Sequence, residues 1–227
     1  MMGIAMLAYD FQTVKQANPL ARFAHKQRIE RSVMLAQQYL APNGVIVDFG
    51  AGKGSFLTAL GDKRPDATLY AIEEYFRPAE DSRIHYVENF KSLEVKTDLV
   101  TSFEVGEHLT DAETEEFLTD ARQSLKDGGK LIISVPIMIG AACALKDLNR
   151  ALMFRRAPEY SLRELIAGSF GGAVQRPADR RPTHKGFDFR WLRDRIENYF
   201  LIENEILSPL PLPWWVNSQI FFICRKK

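Results

Sequence analysis

Cysteine is scarce in this chain. Two occur in 227 residues, Cys143 and Cys224. They form neither a metal-binding spacing nor a disulfide framework. That excludes a small zinc module and a disulfide-stapled scaffold, and it fits a reducing cytoplasm. Charge of one sign is missing too. Lys and Arg number 30 against 29 Asp and Glu, a net of +1, so no overall field draws the molecule to nucleic acid or membrane. No apolar run has the length of a membrane-spanning helix. The opening stretch Met1 to Ala8 is apolar but short, has no basic leader and meets Asp10 at once, so no signal peptide is expected there. Repeats and low-complexity tracts are absent. The length suits one large α/β domain with a real core.

What is present is an alternation of helix and strand signals. Asn18-Pro19 reads as an N-cap and first turn, opening a helical segment at about 18–40 with Leu20, Phe23, Ile29, Val33, Ala36 and Leu40 on its apolar side. After the turn Pro42-Asn43-Gly44 come strands at Val45–Phe49, Thr68–Ile72, Ile84–Val87, Asp98–Phe103 and Lys130–Val135, the last preceded by a turn at Lys126–Gly129. Thr110-Asp-Ala-Glu113 is a capping box for a helix that buries Phe117, Leu118, Ala121 and Leu125. Phe200–Leu207 and Ser218–Cys224 read as an antiparallel pair closing the sheet edge. The expected fold is a three-layer α/β sandwich, Rossmann-like, with a seven-stranded, mostly parallel sheet and one antiparallel strand near the C-terminus.

The chemistry concentrates at Val45-Ile-Val-Asp-Phe-Gly-Ala-Gly-Lys-Gly-Ser-Phe56, a strand running into a turn and a helix. Gly50, Gly52 and Gly54 let the backbone turn tightly and let N–H groups approach a ligand. Such a turn holds a nucleotide-like molecule at the C-terminal end of a parallel strand. Glu73 ends the second strand, where a carboxylate can accept both hydroxyls of a ribose. Asp48 lies two residues before the first glycine. A carboxylate there repels pyrophosphate and tolerates a cationic ligand, which disfavours a nicotinamide-dependent oxidoreductase and favours S-adenosylmethionine.

In these motifs and their order, the chain resembles class I S-adenosylmethionine-dependent methyltransferases, of the kind that act on small molecules, sugars and lipids. The likeness spans about Pro19 to Leu192. Val45–Phe56 resembles the family's first motif, Val87-Glu-Asn-Phe90 lies where the family places its adenine contact, and Asn89 stands at the usual Asp position. Asp98–Leu109 resembles the fourth motif with its following loop, and Leu125–Pro136 the fifth strand with its turn. His25-Lys-Gln-Arg28 resembles a His-x-x-Arg whose Arg takes the methionine carboxylate. The resemblance implies a cofactor site of Arg28, Asp48, Gly50, Ala51, Gly52, Gly54, Glu73, Glu74, Asn89, Phe90, Glu104 and Val105, with S-adenosylhomocysteine as product. It implies one methyltransferase domain over residues 1–227, with a substrate-capping insert at about 137–181.

His108 is the first candidate general base and His184 the second. Glu104-x-x-Glu107-His108 with the distant His184 also resembles small-RNA 2′-O-methyltransferases and, in part, ubiquinone-pathway O-methyltransferases. Those four residues are an alternative site for a divalent metal. In metal-free relatives the Glu-His pair borders the cofactor sulfur, and no metal is the preferred expectation. Residues 150–190 carry nine basic and four acidic residues, strongest at Arg155-Arg156 and Arg180-Arg181, which favours an anionic acceptor. A small metabolite is the first choice of acceptor, RNA the second and protein the third. A catalytically silent S-adenosylmethionine-binding interaction module is the competing class. Trp214-Trp215, among Pro209, Pro211 and Pro213, suits a pocket wall, edge packing or a homodimer contact.

Overall fold

The computed structural model describes residues 19–74, 81–140, 160–180 and 183–227, and the side chains within them from residue 26 on. The readings made for Met1 to Ala8, Asn18, the side chain of His25, Cys143, Arg155, Arg156 and Arg181 lie outside the described residues.

Seven strands form one sheet: β1 (Val45–Phe49), β2 (Thr68–Ile72), β3 (Ile84–Val87), β4 (Thr97–Phe103), β5 (Leu125–Pro136), β6 (Phe200–Ser208) and β7 (Gln219–Lys226). Their spatial order is β3-β2-β1-β4-β5-β7-β6. The first five in that order run parallel, while β7 is antiparallel to both β5 and β6. This is the expected Rossmann-like α/β sheet with its single antiparallel strand.

Alternation along the strands sorts two cores. Ile46, Ile132, Phe221 and Ile223 face α1 (Pro19–Tyr39) and α2 (Ser55–Lys63), which contribute Val33, Leu35, Leu57 and Leu60. Val47, Ile133, Phe222 and Cys224 face the opposite side, where α3 (Asp111–Ser124) and α5 (Phe189–Tyr199) contribute Phe117, Leu118, Leu192 and Ile196. One residue of offset in a strand therefore selects the layer a side chain joins. The shorter α4 (Leu162–Ser169) lies in the insert and carries its own capping box, with Ser161 and Glu164 bonding reciprocally. The box foreseen at Thr110 and Glu113 opens α3 in the same way.

One local expectation changes. Strand β5 begins at Leu125, which pairs with Thr97, and the turn foreseen at Lys126–Gly129 stands as an unpaired bulge before regular pairing resumes at Lys130 opposite Leu99. Gly128, at φ 80°, lies in that bulge.

The topology positions the site. Strand order reverses between β1 and β4, and a crevice opens beyond the carboxyl ends of parallel strands at such a switch point. The glycine turn after Phe49 and the loop after Phe103 meet there. Because Phe222 is fully buried against α3 and α5, Phe222→Ala is expected to lower the unfolding free energy by about 3–5 kcal/mol. Urea denaturation with an unchanged slope checks this.

Candidate functional site

Backbone bonds to the neighbouring strand hold the glycine turn in shape. The N–H groups of Gly50 and Ala51 donate to the carbonyl of Ile72 at 2.9 and 3.3 Å. Gly54, at φ 73°, caps α2, and its carbonyl accepts from Thr58. Two glycines do separate jobs. A Cβ on Gly50 would stand 2.5 Å from Cγ2 of Val105, so Gly50 lets the loop after β4 pack onto the turn. A Cβ on Gly52 would meet nothing within 4 Å, so Gly52 presents bare backbone to open space.

Carboxylates frame that space. The N–H of Gly52 donates to Oε2 of Glu73 at 2.6 Å, which brings the acid at the end of β2 to the turn. Glu74 beside it is exposed. Asp48 is buried at the end of β1, and the Thr101 hydroxyl donates to its Oδ1 at 2.7 Å. Burial raises the Asp48 pKa from 3.8 to about 7; the Thr101 hydrogen bond opposes the rise, and the negative charge of Glu73 adds to it. Asn89 uses its side-chain oxygen to cap a short 3-10 turn, accepting from the N–H of Ser92, and Phe90 is buried and stacks on Phe49 at 5.8 Å.

The loop after β4 begins with strain. Glu104 has φ 59°, in the left-handed region a non-glycine residue seldom occupies. Its carboxylate is held by Arg28 from α1 at 3.2 Å and by the Gln219 amide from β7 at 2.9 Å. Glu104 is turned to Arg28 and Gln219, and the group of potential ligands among the described residues is Glu107, His108 and His184, with one donor atom from each lying within 4.8 Å of the others. Nε2 of His108 and Nε2 of His184 are 3.1 Å apart, and each is 3.9 Å from Oε1 of Glu107. Glu107 is buried, and both imidazoles are partly exposed.

Two arginines clasp the insert over this loop. Arg176 donates to the Glu107 carbonyl at 2.6 Å while its guanidinium lies over the rings of Phe187 and Trp191. Burial depresses its pKa to about 10, and the nearby positive charge of Arg180 adds to the fall. Arg180 donates to the Leu109 carbonyl at 3.0 Å and pairs with Asp111 at 2.7 Å. The basic charge read from the sequence is thus partly spent on docking. Trp214 is packed against Gly140, Gly171 and Phe189, whereas Trp215 is half-exposed.

Sequence reasoning passed over Thr101, Arg176 and Gln219. A threonine in the apolar run of β4 is a usable signal for a partner of a buried acid; nothing local marks the other two.

The residues fit a cationic, ribose-bearing ligand, with bare backbone at Gly52, a carboxylate at the ribose corner and a buried acid behind. The sheet order and the glycine-turn site together define the class I S-adenosylmethionine-dependent methyltransferase architecture. A family model described as a methyltransferase domain matches residues 20–166, and the chain belongs to that family. No curated protein sequence matches it. Among solved structures it is similar to the PH0226 protein of Pyrococcus horikoshii, with a TM-score of 0.57 and 16% identity over 89% of this chain and 91% of that one. It is also similar to a TehB-like SAM-dependent methyltransferase of Corynebacterium glutamicum, with a TM-score of 0.54 and 15% identity over 92% of this chain and 100% of the other. A third similar structure is the mycolic acid cyclopropane synthase CmaA1, with a TM-score of 0.53 and 11% identity over 87% of this chain and 84% of that one. At these identities the likeness is one of fold. Among the described residues, no helix is long and apolar enough to cross a membrane.

Asp48 makes stability pH-dependent. Its folded pKa lies above the unfolded value, so the folded state binds the extra proton and stability falls as pH rises from about 4 to about 7. Asp48→Asn keeps an acceptor for Thr101 and removes the titration. Relative to the parent it should gain on the order of 4 kcal/mol between pH 4 and pH 8, from about three units at 1.36 kcal/mol each, as measured by urea denaturation at the two pH values.

Proposed function

We propose that the chain transfers the S-adenosylmethionine methyl group to the oxygen of a small, polar, hydroxyl-bearing acceptor, anionic or sugar-like. The observation that carries this reading is the position of Glu107, His108 and His184. Glu107 and His108 lie on the loop that Val105 packs against Gly50, and His184 meets them from the insert, so a group able to take up a proton adjoins the donor's turn.

The bound donor supplies a methyl group on a positively charged sulfur, an electrophile already activated. The chain then has to hold donor and acceptor in line and keep water out. Glu73 receives the ribose hydroxyls, and the Gly52 N–H that Glu73 now engages lies at the same corner. Asp48 favours the cationic end, because a neighbouring positive charge draws its pKa back down. Arg28, at 3.2 Å from Glu104, has further N–H donors for the methionine carboxylate. Asn89, Phe90, Glu74, Ala51 and Gly54 complete the cofactor site. On the acceptor side, the hydroxyl oxygen forms the new C–O bond as the S–C bond breaks, sulfur keeps the electron pair, and the hydroxyl proton leaves by way of His108 and His184.

A cleft of about 220 Å³ beside the arginine clasp, lined by Asp111, Arg176, Arg180, Asp188 and Trp191 among others, supports a small acceptor. Its two acids, two arginines and an indole match the mixed polar and flat surfaces of a sugar or a small oxyacid. No observation favours RNA, and Asp48, Glu73 and the glycines, all in place, speak against a silent binding module.

Isothermal titration with S-adenosylmethionine tests the donor side. Glu73→Ala is expected to weaken binding by about 10- to 100-fold, the equivalent of about 1.5–3 kcal/mol for a charged hydrogen bond, and Gly52→Val by at least as much. Affinity unchanged in both variants would sink the reading. Release of S-adenosylhomocysteine across a panel of hydroxylated sugars and acids identifies the acceptor.

A further inference from the structure

We propose that Glu107, His108 and His184 bind one divalent first-row transition cation, and that this cation is what activates the acceptor hydroxyl. The inference rests on the reading that this edge receives the acceptor.

Geometry carries it. The three donor atoms make a triangle with sides of 3.1, 3.9 and 3.9 Å. The centre of that triangle lies about 2.1 Å from every corner, and zinc bonds to imidazole and carboxylate are ~2.0–2.2 Å long. A cation therefore fits with little movement of the three side chains. The ring orientation agrees. Nδ1 of His108 faces the carbonyl oxygen of Arg180 at 3.3 Å. A carbonyl only accepts, so Nδ1 carries the hydrogen, and in the neutral ring the lone pair sits on Nε2, the atom 3.1 Å from Nε2 of His184. Donation of the outer N–H to a backbone carbonyl is the usual way a metal-ligating imidazole is held. Glu107 adds a buried carboxylate oxygen as the third donor.

The donor set narrows the metal. Two imidazoles and one carboxylate suit Mn²⁺, Fe²⁺, Co²⁺ or Zn²⁺, whereas Mg²⁺ prefers oxygen ligands and retained water. Three protein donors leave positions for an acceptor oxygen. With the cation in place, both imidazoles serve as ligands. A cation held by these three residues would lower the pKa of the acceptor hydroxyl, whose proton would then go to solvent instead of by way of His108 and His184 as the oxygen takes the methyl group and the sulfur leaves as a neutral thioether. The clasp of Arg176 and Arg180 gains a purpose, since it brings His184 from the insert to a loop 76 residues earlier.

The test uses the full chain, stripped with a chelator and desalted, and titrated with Co²⁺ and Zn²⁺ with no acceptor present. Calorimetry and Co²⁺ visible absorption are expected to show one equivalent bound, not displaced by equimolar Mg²⁺. Glu107→Gln and His184→Ala should each weaken binding at least about tenfold while retaining S-adenosylmethionine binding. His184 is a partly exposed loop residue, so its variant keeps the test valid if Glu107→Gln fails to fold. No stoichiometric binding at micromolar metal, or equal affinity in His184→Ala, overturns the site. Full-rate methyl transfer by the stripped enzyme overturns the role of the cation and leaves the acceptor reading intact. Stoichiometric binding without transfer to any hydroxyl supports the site and removes the acceptor reading.

Discussion

Gly50 has no side chain, and Val105 occupies the room that one would need. The 2.5 Å separation that a Cβ there would have from Val105 makes the contact intolerant of any other residue. Two segments that approach from different strands are thereby locked face to face. One is the turn that presents bare backbone at Gly52. The other starts with the strained Glu104 and carries Glu107 and His108. The sheet order makes this meeting unavoidable, because β1 and β4 are neighbours although two strands separate them in sequence. The glycine turn and the loop that carries Glu107 and His108 share one edge because a single glycine permits them to touch.

The second constraint is electrostatic. Asp48, Glu73, Glu104 and Glu107 all point into or border one small region, and each is handled differently. Burial holds the Asp48 pKa up at about 7 against the opposing pull of the Thr101 hydroxyl. Glu73 leans on the Gly52 N–H. Glu104 is neutralised by Arg28 from α1 and by Gln219 from the antiparallel strand. Glu107 is buried against two imidazoles. This concentration of acid suits a ligand bearing positive charge, and it explains why the last strand and the first helix both send a polar side chain to the same place.

Much of this was legible in the residues because the rules are local. Glycine spacing, the acid before the turn, the capping box at Thr110 and Glu113 and the alternation in each strand depend on neighbours within a few positions. The parts that were not legible depend on long-range meetings. Nothing around Gln219 indicates that it reaches Glu104, 115 residues away. Arg180 reads as free positive charge until Asp111 and the Leu109 carbonyl are seen to hold it. The start of β5 was misjudged for a related reason. Lys126–Gly129 has turn composition and stays unpaired, but Leu125 before it already pairs with Thr97 across the sheet, so the strand starts earlier than Lys130.

The arginine clasp grips its loop mainly by main-chain oxygens, those of Glu107 and Leu109, while the loop's His108 meets the main-chain oxygen of Arg180. Every amino acid offers the same carbonyl. The two bonds to carbonyls are therefore indifferent to the side chains at positions 107 and 109, while His108 and Asp111 hold the insert by their own side chains, so mutation can rewrite part of the display without unfastening the cover. Such an architecture separates inheritance of shape from inheritance of specificity. Descendants of one ancestral gene can diverge in what they modify while keeping the same closed edge, and a laboratory library confined to those loop side chains would explore new acceptors on an unchanged frame.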